Sequence, residues 1–140
     1  TAFQFAKFNI KQPGVVHLSS ALENNGYAVL EDLEYQSGSS HLGEGPFQSL
    51  VQLARYLKVN QTKRIILVGH TDDVGSLLEN INLSKKRATA VVERLVKKYG
   101  IKAQRLSSHG VGYLNPIARN NTKKGRELNR RVEVVLGKSE

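Results

Sequence analysis

Two segments of the chain repeat apolar residues at the spacing of a helix that packs one face on a core. The first stripe covers residues 47–57 and the second covers residues 88–99. We predict that Ser84 caps the start of the second helix and that Gly100 ends it. Both helices are then of ordinary length for a globular domain.

Four other segments have patterns typical of β-strands. Residues 64–69 form a short aliphatic run between turn residues, as a buried strand does. Residues 27–35 and 131–136 alternate apolar and polar positions. Residues 105–112 predict a strand interrupted by two glycines, and residues 116–128 predict a loop with one helical turn.

The order of these elements is β-α-β-α-β-(α)-β, which favours an α/β (α+β) sandwich. We expect a small mixed sheet of about four strands with the helices packed on one face. Residues 27–138 are predicted to form this domain, and residues 1–26 an N-terminal extension or linker. Within the extension, Val15–Leu18 predicts a short strand and Leu22–Gly26 a turn of helix.

Composition removes several classes of site. The 140 residues suit one domain and contain no cysteine, which excludes disulfides, thiolate metal sites and cysteine nucleophiles. The four histidines lack the spacing of a zinc motif, so we expect no metal and no cofactor. No apolar run approaches the roughly 20 residues of a membrane helix, and any membrane anchor is expected to lie outside this sequence.

Charge is distributed unevenly along the chain. Residues 61–140 hold 17 Lys and Arg against seven Asp and Glu, a net charge of +10, whereas residues 1–60 carry −1. This asymmetry favours an anionic partner: nucleic acid, anionic lipid, or a polymer that bears carboxylates. No aromatic residues interleave with the basic ones as base-stacking platforms do.

The loop between residues 69 and 88 carries the candidate chemistry. If Ser84 caps the helix, three cations at residues 85–87 occupy its first turn, where the helix dipole disfavours them. Such a cluster could bind an anion, and the guanidinium of Arg87 suits a carboxylate. Asp72 lies in the same loop and would attract an ammonium. Two interpretations fit this pattern. Either the loop binds a zwitterionic ligand, or Asp72 and Arg87 simply pair with each other and fasten the loop.

Five motifs, in this order, resemble the OmpA-like peptidoglycan-binding domain. This family includes peptidoglycan-associated lipoproteins and flagellar motor stator proteins. The resemblance covers roughly residues 27–136. Its motifs are LEYQSGSSHL (33–42), ILVGHTDDVG (66–75), Asn80 with LSKKRA (83–88), RLSSHGVGYLNPIARN (105–120) and GRELNRRVEVV (125–135).

The resemblance implies non-covalent binding of peptidoglycan through the meso-diaminopimelate of its stem peptides. The free end of that residue carries an ammonium and a carboxylate on one carbon. By the family motifs, Asp72 would receive the ammonium, Arg87 would hold the carboxylate, and Asn80 would hydrogen-bond in the same pocket. We expect Asp72 and Arg87 to lie at exposed loop and helix-start positions, so that alanine variants stay folded with melting temperatures near wild type.

The resemblance also implies further residues of the pocket. Thr71 and Leu83 would line it. Of the two arginines in the NRRVE motif, Arg130 is favoured over Arg131 at the pocket edge, because neighbouring strand residues point to opposite faces. Gln36 stands where the family usually has an aspartate, so ammonium binding would rest more heavily on Asp72.

We therefore expect a non-enzymatic periplasmic domain of the cell envelope. The full-length protein is expected to be tethered to the outer membrane in preference to the inner one. A stator-type cell-wall anchor and a basic nucleic-acid-binding module are the alternatives, although no nucleic acid is expected. An enzyme acting on wall peptides would need a nucleophile or a metal, for which the sequence offers no candidate. We leave open whether the chain forms a homodimer.

Overall fold

The computed structural model describes residues 18–138, which form one small mixed α/β domain. The helices are α1 (Leu18–Asn25), α2 (Gln48–Val59), α3 (Leu77–Tyr99) and α4 (Lys123–Asn129), with a 3-10 turn at Ala103–Arg105. The strands are β1 (Tyr27–Val29), β2 (Ile65–His70), β3 (Leu106–Gly110) and β4 (Arg131–Leu136).

The four strands form one mixed sheet in the order β1-β4-β2-β3. Strand β4 pairs antiparallel with both β1 and β2, whereas β2 and β3 run parallel. The parallel pair is connected by the long helix α3, because parallel neighbours need a crossover. The predicted mixed sheet with its accompanying helices is confirmed.

The core lies between one face of the sheet and the helices. On the central strands, alternate residues Ile65, Leu67, Val132 and Val134 are at most 1% exposed, whereas the residues between them on β2 remain partly accessible. This is the pattern of a sheet covered by helices on one side. Burial of these aliphatic side chains is the main source of stability.

Helix α1 also contributes to the core, since Leu18 and Leu22 are almost fully buried. The helical turn predicted at Leu22–Gly26 is therefore part of a longer helix, and Gly26 ends it with a positive φ of 81°. Leu18 is helical, which contradicts the strand predicted at Val15–Leu18 where that segment enters the described residues. The rest of that strand lies outside them. The domain boundary at residue 27 stays a prediction.

The prediction that α3 begins at Ser84 is wrong. The cap is Ser76, whose hydroxyl accepts a hydrogen bond from the Glu79 amide at 3.1 Å. Ser84 is instead fully buried within the helix, where its hydroxyl accepts a hydrogen bond from the Gly112 amide at 2.9 Å. Consequently, the cations at residues 85–87 do not lie in the first turn. The predicted end at Gly100 is confirmed, with a left-handed φ of 70°.

Two glycines let α3 approach the sheet closely. A Cβ atom on Gly69 of β2 would lie 2.6 Å from the carbonyl carbon of Ser84, and one on Gly110 of β3 would lie 2.5 Å from the Ser84 hydroxyl. Both positions therefore require glycine, and the helix backbone rests directly on the ends of the two parallel strands. Among residues 18–138, no helix combines the length and apolarity needed to cross a bilayer.

Candidate functional site

The candidate site lies where the chain leaves the carboxyl end of β2. Thr71 and Asp72 follow the strand directly, and both are buried. The Thr71 amide donates a hydrogen bond to the carbonyl of Gly112 at 2.9 Å, and its hydroxyl donates to the carbonyl of Asp72 at 2.8 Å. These contacts fix the start of the loop that leads to α3.

Asp72 is 3% exposed, and its carboxylate pairs with Arg130. Its Oδ2 accepts a hydrogen bond from the Arg130 Nη1 at 2.9 Å, and the Ser37 hydroxyl approaches the same oxygen at 3.4 Å. Its Oδ1 accepts from the Val74 amide at 3.2 Å. The aspartate is therefore held by one guanidinium, one hydroxyl and one backbone amide.

The guanidinium of Arg87 is fully buried and donates to three backbone carbonyls. The acceptors are Ser39 at 2.8 Å, His70 at 2.9 Å and Gln36 at 3.1 Å. Its Cζ lies 4.8 Å from the ring centroid of Tyr35. Arg87 thereby connects the irregular segment after β1 to the end of β2.

Burial lowers the pKa of Arg87 from its ordinary value to about 10, because desolvation disfavours the charged form. The nearby Tyr35 and Asp72 side chains oppose this shift, and Arg130 adds to it. A pKa near 10 still leaves the guanidinium charged at neutral pH. The site therefore contains an aspartate and a buried cation close enough to influence each other.

The exposed positions that the sequence predicts for Asp72 and Arg87 are not observed. Arg87 is buried because it lies on the sheet-facing side of α3, three residues after Ser84, and its side chain contacts the segment around Gln36. The simple Asp72–Arg87 pair is not observed either, since Asp72 forms its ion pair with Arg130. In this conformation both groups are sealed from solvent, and a ligand reaches them only if the covering segment moves.

The two arginines of the NRRVE motif have separate surroundings. Arg130 contacts Asp72 and donates its Nε to the carbonyl of Tyr35 at 2.7 Å. Arg131 faces away and forms a buried ion pair with Glu133 at 2.7 Å. Of the two, only Arg130 is thus placed beside the candidate aspartate.

The remaining sequence-predicted residues surround this pair in different ways. Asn80 is buried and donates to the carbonyls of Val74 and Ser76, both at 2.9 Å, so it fixes the loop before α3. Leu83 is half-buried on α3, and Gln36 is exposed. The Gln36 side chain is therefore accessible, while its backbone carbonyl binds Arg87.

An open groove of about 670 Å³ lies beside the buried pair rather than over it. It runs between the segment that follows β1 and helix α4. Tyr35, Gln36 and Arg130 belong both to its lining and to the contacts of Arg87 and Asp72. The groove is therefore the solvent-filled space that borders the candidate pair.

His70 lies in the same region, at the end of β2. It is 2% exposed, and neither ring nitrogen has a hydrogen-bond partner among residues 18–138. Its Nε2 lies 3.8 Å from the Glu133 carboxylate, and its carbonyl accepts from Arg87. Burial, aided by the charge of Arg131, lowers its pKa from 6.5 to about 4.

We therefore expect the domain to lose stability as the pH falls from about 6.5 to 4. In this window the unfolded chain binds a proton on His70 that the folded chain does not, so protonation favours unfolding, by up to about 3 kcal/mol. Chemical denaturation at several pH values, for wild type and His70→Gln, measures this. Equal pH dependence in the two proteins would contradict the prediction.

Comparison with known proteins identifies the family. A model of the OmpA family matches residues 34–130, which include the whole candidate site. The chain belongs to the OmpA family. Its fold agrees with this: the peptidoglycan-associated lipoprotein of Burkholderia pseudomallei superimposes with a TM-score of 0.68 at 27% identity, over 75% of this chain and 88% of that one.

Curated relatives of this OmpA-family chain are envelope proteins. It is 36% identical to outer membrane porin F of Pseudomonas aeruginosa over 105 residues, which are 75% of this chain and 30% of the porin. It is 40% identical to the peptidoglycan-binding protein ArfA of Mycobacterium tuberculosis over 90 residues, 64% of this chain and 27% of ArfA. The chain spans less than half the length of these two relatives.

Proposed function

We propose that this domain binds peptidoglycan non-covalently through the free end of meso-diaminopimelate in the stem peptide, and so anchors an envelope protein to the cell wall. The observation that carries the proposal is the juxtaposition of Asp72 and Arg87. Arg87 binds the carbonyl of His70, two residues before Asp72. The negative charge of Asp72 also opposes the lowering of the Arg87 pKa by burial. A carboxylate and a guanidinium that influence each other without pairing match a group that bears both charges on one carbon.

Arg87 has donors to spare for a carboxylate. A guanidinium carries five N–H bonds, and its three contacts with backbone carbonyls use three of them. The remaining two, one on each terminal nitrogen, could bind the two oxygens of a ligand carboxylate. The low polarity around the buried group would strengthen such a bond.

Asp72 would receive the ammonium of the same ligand. Its carboxylate already binds Arg130, so the ligand ammonium would compete with that guanidinium or share the aspartate with it. Gln36 adds no negative charge, and Asp72 is the carboxylate that acts on the charge of Arg87, so Asp72 would be the partner of the ammonium. Asn80 and Thr71 would hold the loop that presents this carboxylate, and Leu83 would flank it.

Binding would require the segment between β1 and α2 to shift. Residues 30–47 contain no helix or strand, and the carbonyls of Gln36 and Ser39 in this segment cover Arg87. A segment without ladder hydrogen bonds can move at lower cost than a helix or a strand. The groove beside it would give the ligand access to the pair.

The cellular setting follows from the relatives. A peptidoglycan-binding domain related to outer-membrane proteins would act in the periplasm, with its membrane anchor in a part of the protein outside these residues. The same site would serve an outer-membrane protein or a stator-type inner-membrane anchor. A nucleic-acid role is not favoured, since the positive charge alone supports it.

The decisive experiment compares Asp72→Asn with Asp73→Asn in binding to diaminopimelate-type peptidoglycan. Both variants lose one negative charge, but Asp73 is exposed whereas Asp72 pairs with Arg130. We expect Asp72→Asn to weaken binding at least about tenfold, since it removes the partner of the ligand ammonium. Asp73→Asn should bind as wild type does.

Circular dichroism establishes that both variants are folded. Wall material whose stem peptides carry lysine instead of diaminopimelate serves as the second comparison, because lysine lacks the free carboxylate. Undiminished binding by Asp72→Asn, or equal binding to the two wall types, would contradict the proposal.

A further inference from the structure

Tyr35 has a polar group that the domain itself does not use. The residue is 5% exposed, and its hydroxyl has no hydrogen-bond partner within residues 18–138. Burying an unpaired hydroxyl costs about 1–3 kcal/mol, so such groups are uncommon in folded proteins. A phenylalanine would fill the same space without this cost.

The position of Tyr35 connects it to the proposed ligand site. The Cζ of Arg87 lies 4.8 Å from the ring centroid, and the Tyr35 carbonyl accepts a hydrogen bond from the Arg130 Nε at 2.7 Å. Tyr35 also lines the groove of about 670 Å³ that borders the site. The unpaired hydroxyl therefore belongs to a residue in contact with both arginines.

We propose that the Tyr35 hydroxyl donates a hydrogen bond to the same ligand carboxylate that Arg87 holds, and so selects ligands with a free carboxylate. This inference rests on the proposed function and adds a specificity-determining residue to it. A carboxylate has four lone-pair positions, so it can accept two N–H bonds from Arg87 and one O–H bond in addition.

The chemistry of the hydroxyl suits this role. Burial raises the pKa of Tyr35 to about 12, although the charge of Arg87 acts in the opposite direction. The phenol therefore keeps its proton at neutral pH and is available as a donor. A site that hydrogen-bonds a ligand group discriminates strongly against ligands lacking that group, because the buried donor is then left unpaired.

The test is a cycle of two proteins and two peptides, measured by titration calorimetry. The proteins are wild type and Tyr35→Phe. The first peptide is a soluble stem pentapeptide with the free diaminopimelate end, and the second has the carboxylate at that end converted into a carboxamide. We expect Tyr35→Phe to bind the carboxylate peptide about 3–10-fold more weakly than wild type, and to lose clearly less affinity for the carboxamide peptide, whose neutral oxygen accepts a weaker hydrogen bond.

Stability provides a readout that separates this role from a structural one. Tyr35→Phe removes an unpaired hydroxyl, so its melting temperature should equal or exceed that of wild type. The matched control is Tyr56→Phe, which removes a hydroxyl that donates to the Glu23 carboxylate at 2.9 Å. This control should lower the melting temperature and leave both peptide affinities unchanged.

Two results would overturn the inference while leaving the proposed function in place. One is equal binding of the carboxylate peptide by wild type and Tyr35→Phe. The other is an equal loss of affinity for both peptides in Tyr35→Phe. If wild type bound neither peptide, the proposed function would instead be refuted, and the inference with it.

Discussion

Arg87→Ala is expected to lower the free energy of unfolding by about 3–5 kcal/mol, enough to leave a domain of this size marginal or unfolded. The substitution removes a fully buried side chain and leaves the carbonyls of Gln36, Ser39 and His70 without their donor. It also removes the cation that packs on the Tyr35 ring. Urea denaturation followed by circular dichroism measures the loss.

Arg94→Ala is the matched control on the same helix. Arg94 is half-buried and donates to two carbonyls, those of Gly43 and Glu44, so its removal should cost clearly less. A loss for Arg87→Ala no larger than for Arg94→Ala would mean that the buried guanidinium contributes little to folding. The expectation that the Arg87 variant melts near wild type depended on an exposed side chain, which the structure does not have.

Gly69→Ala should destabilise the domain by about 3 kcal/mol or more. Its new methyl group would lie 2.6 Å from the carbonyl carbon of Ser84, and a backbone atom in the middle of a helix cannot move aside as a flexible side chain can. Relief would require α3 to shift away from β2, which costs packing along the whole contact. Differential scanning calorimetry would register this as a large fall in melting temperature.

Gly43→Ala provides the comparison for this prediction. Gly43 has no positive φ, and the nearest atom to its added Cβ is a Phe47 ring carbon at an ordinary 3.8 Å. It should therefore melt within a few degrees of wild type. If Gly69→Ala melted like Gly43→Ala, the close approach of α3 to the sheet would be refuted. Because α3 carries Arg87, a displaced helix should also disturb the candidate site.

The sequence contains a signal for the start of α3 that the apolar stripe alone does not show. Ser76 and Glu79 have the S-x-x-E spacing of a capping box, and the Ser76 hydroxyl binds both the amide and the side chain of Glu79. The first two turns are polar and irregular in sequence, so periodicity alone predicts a loop there. Leu78, for example, is 69% exposed.

The burial of His70 is a different case, since no local sequence pattern predicts it. Neither ring nitrogen has a partner among residues 18–138, and the low pKa of His70 depends on burial and on Arg131 of the neighbouring strand β4. A histidine at a strand end has the same sequence signature whether it is solvated or buried. Only the packed structure separates the two.

The sequence alone predicts the elements that depend on local periodicity and on special backbone residues: the stripe of α2, the buried run of β2 and the stop at Gly100. It also determined the family, through short motifs that occur in order. Folding decides the rest: Arg87 is buried, Asp72 pairs with Arg130, and the Tyr35 hydroxyl has no partner among residues 18–138. The carbonyl acceptors of Arg87 and the ion-pair partner of Asp72 lie 17 to 58 residues away, so chain folding rather than local spacing brings them together.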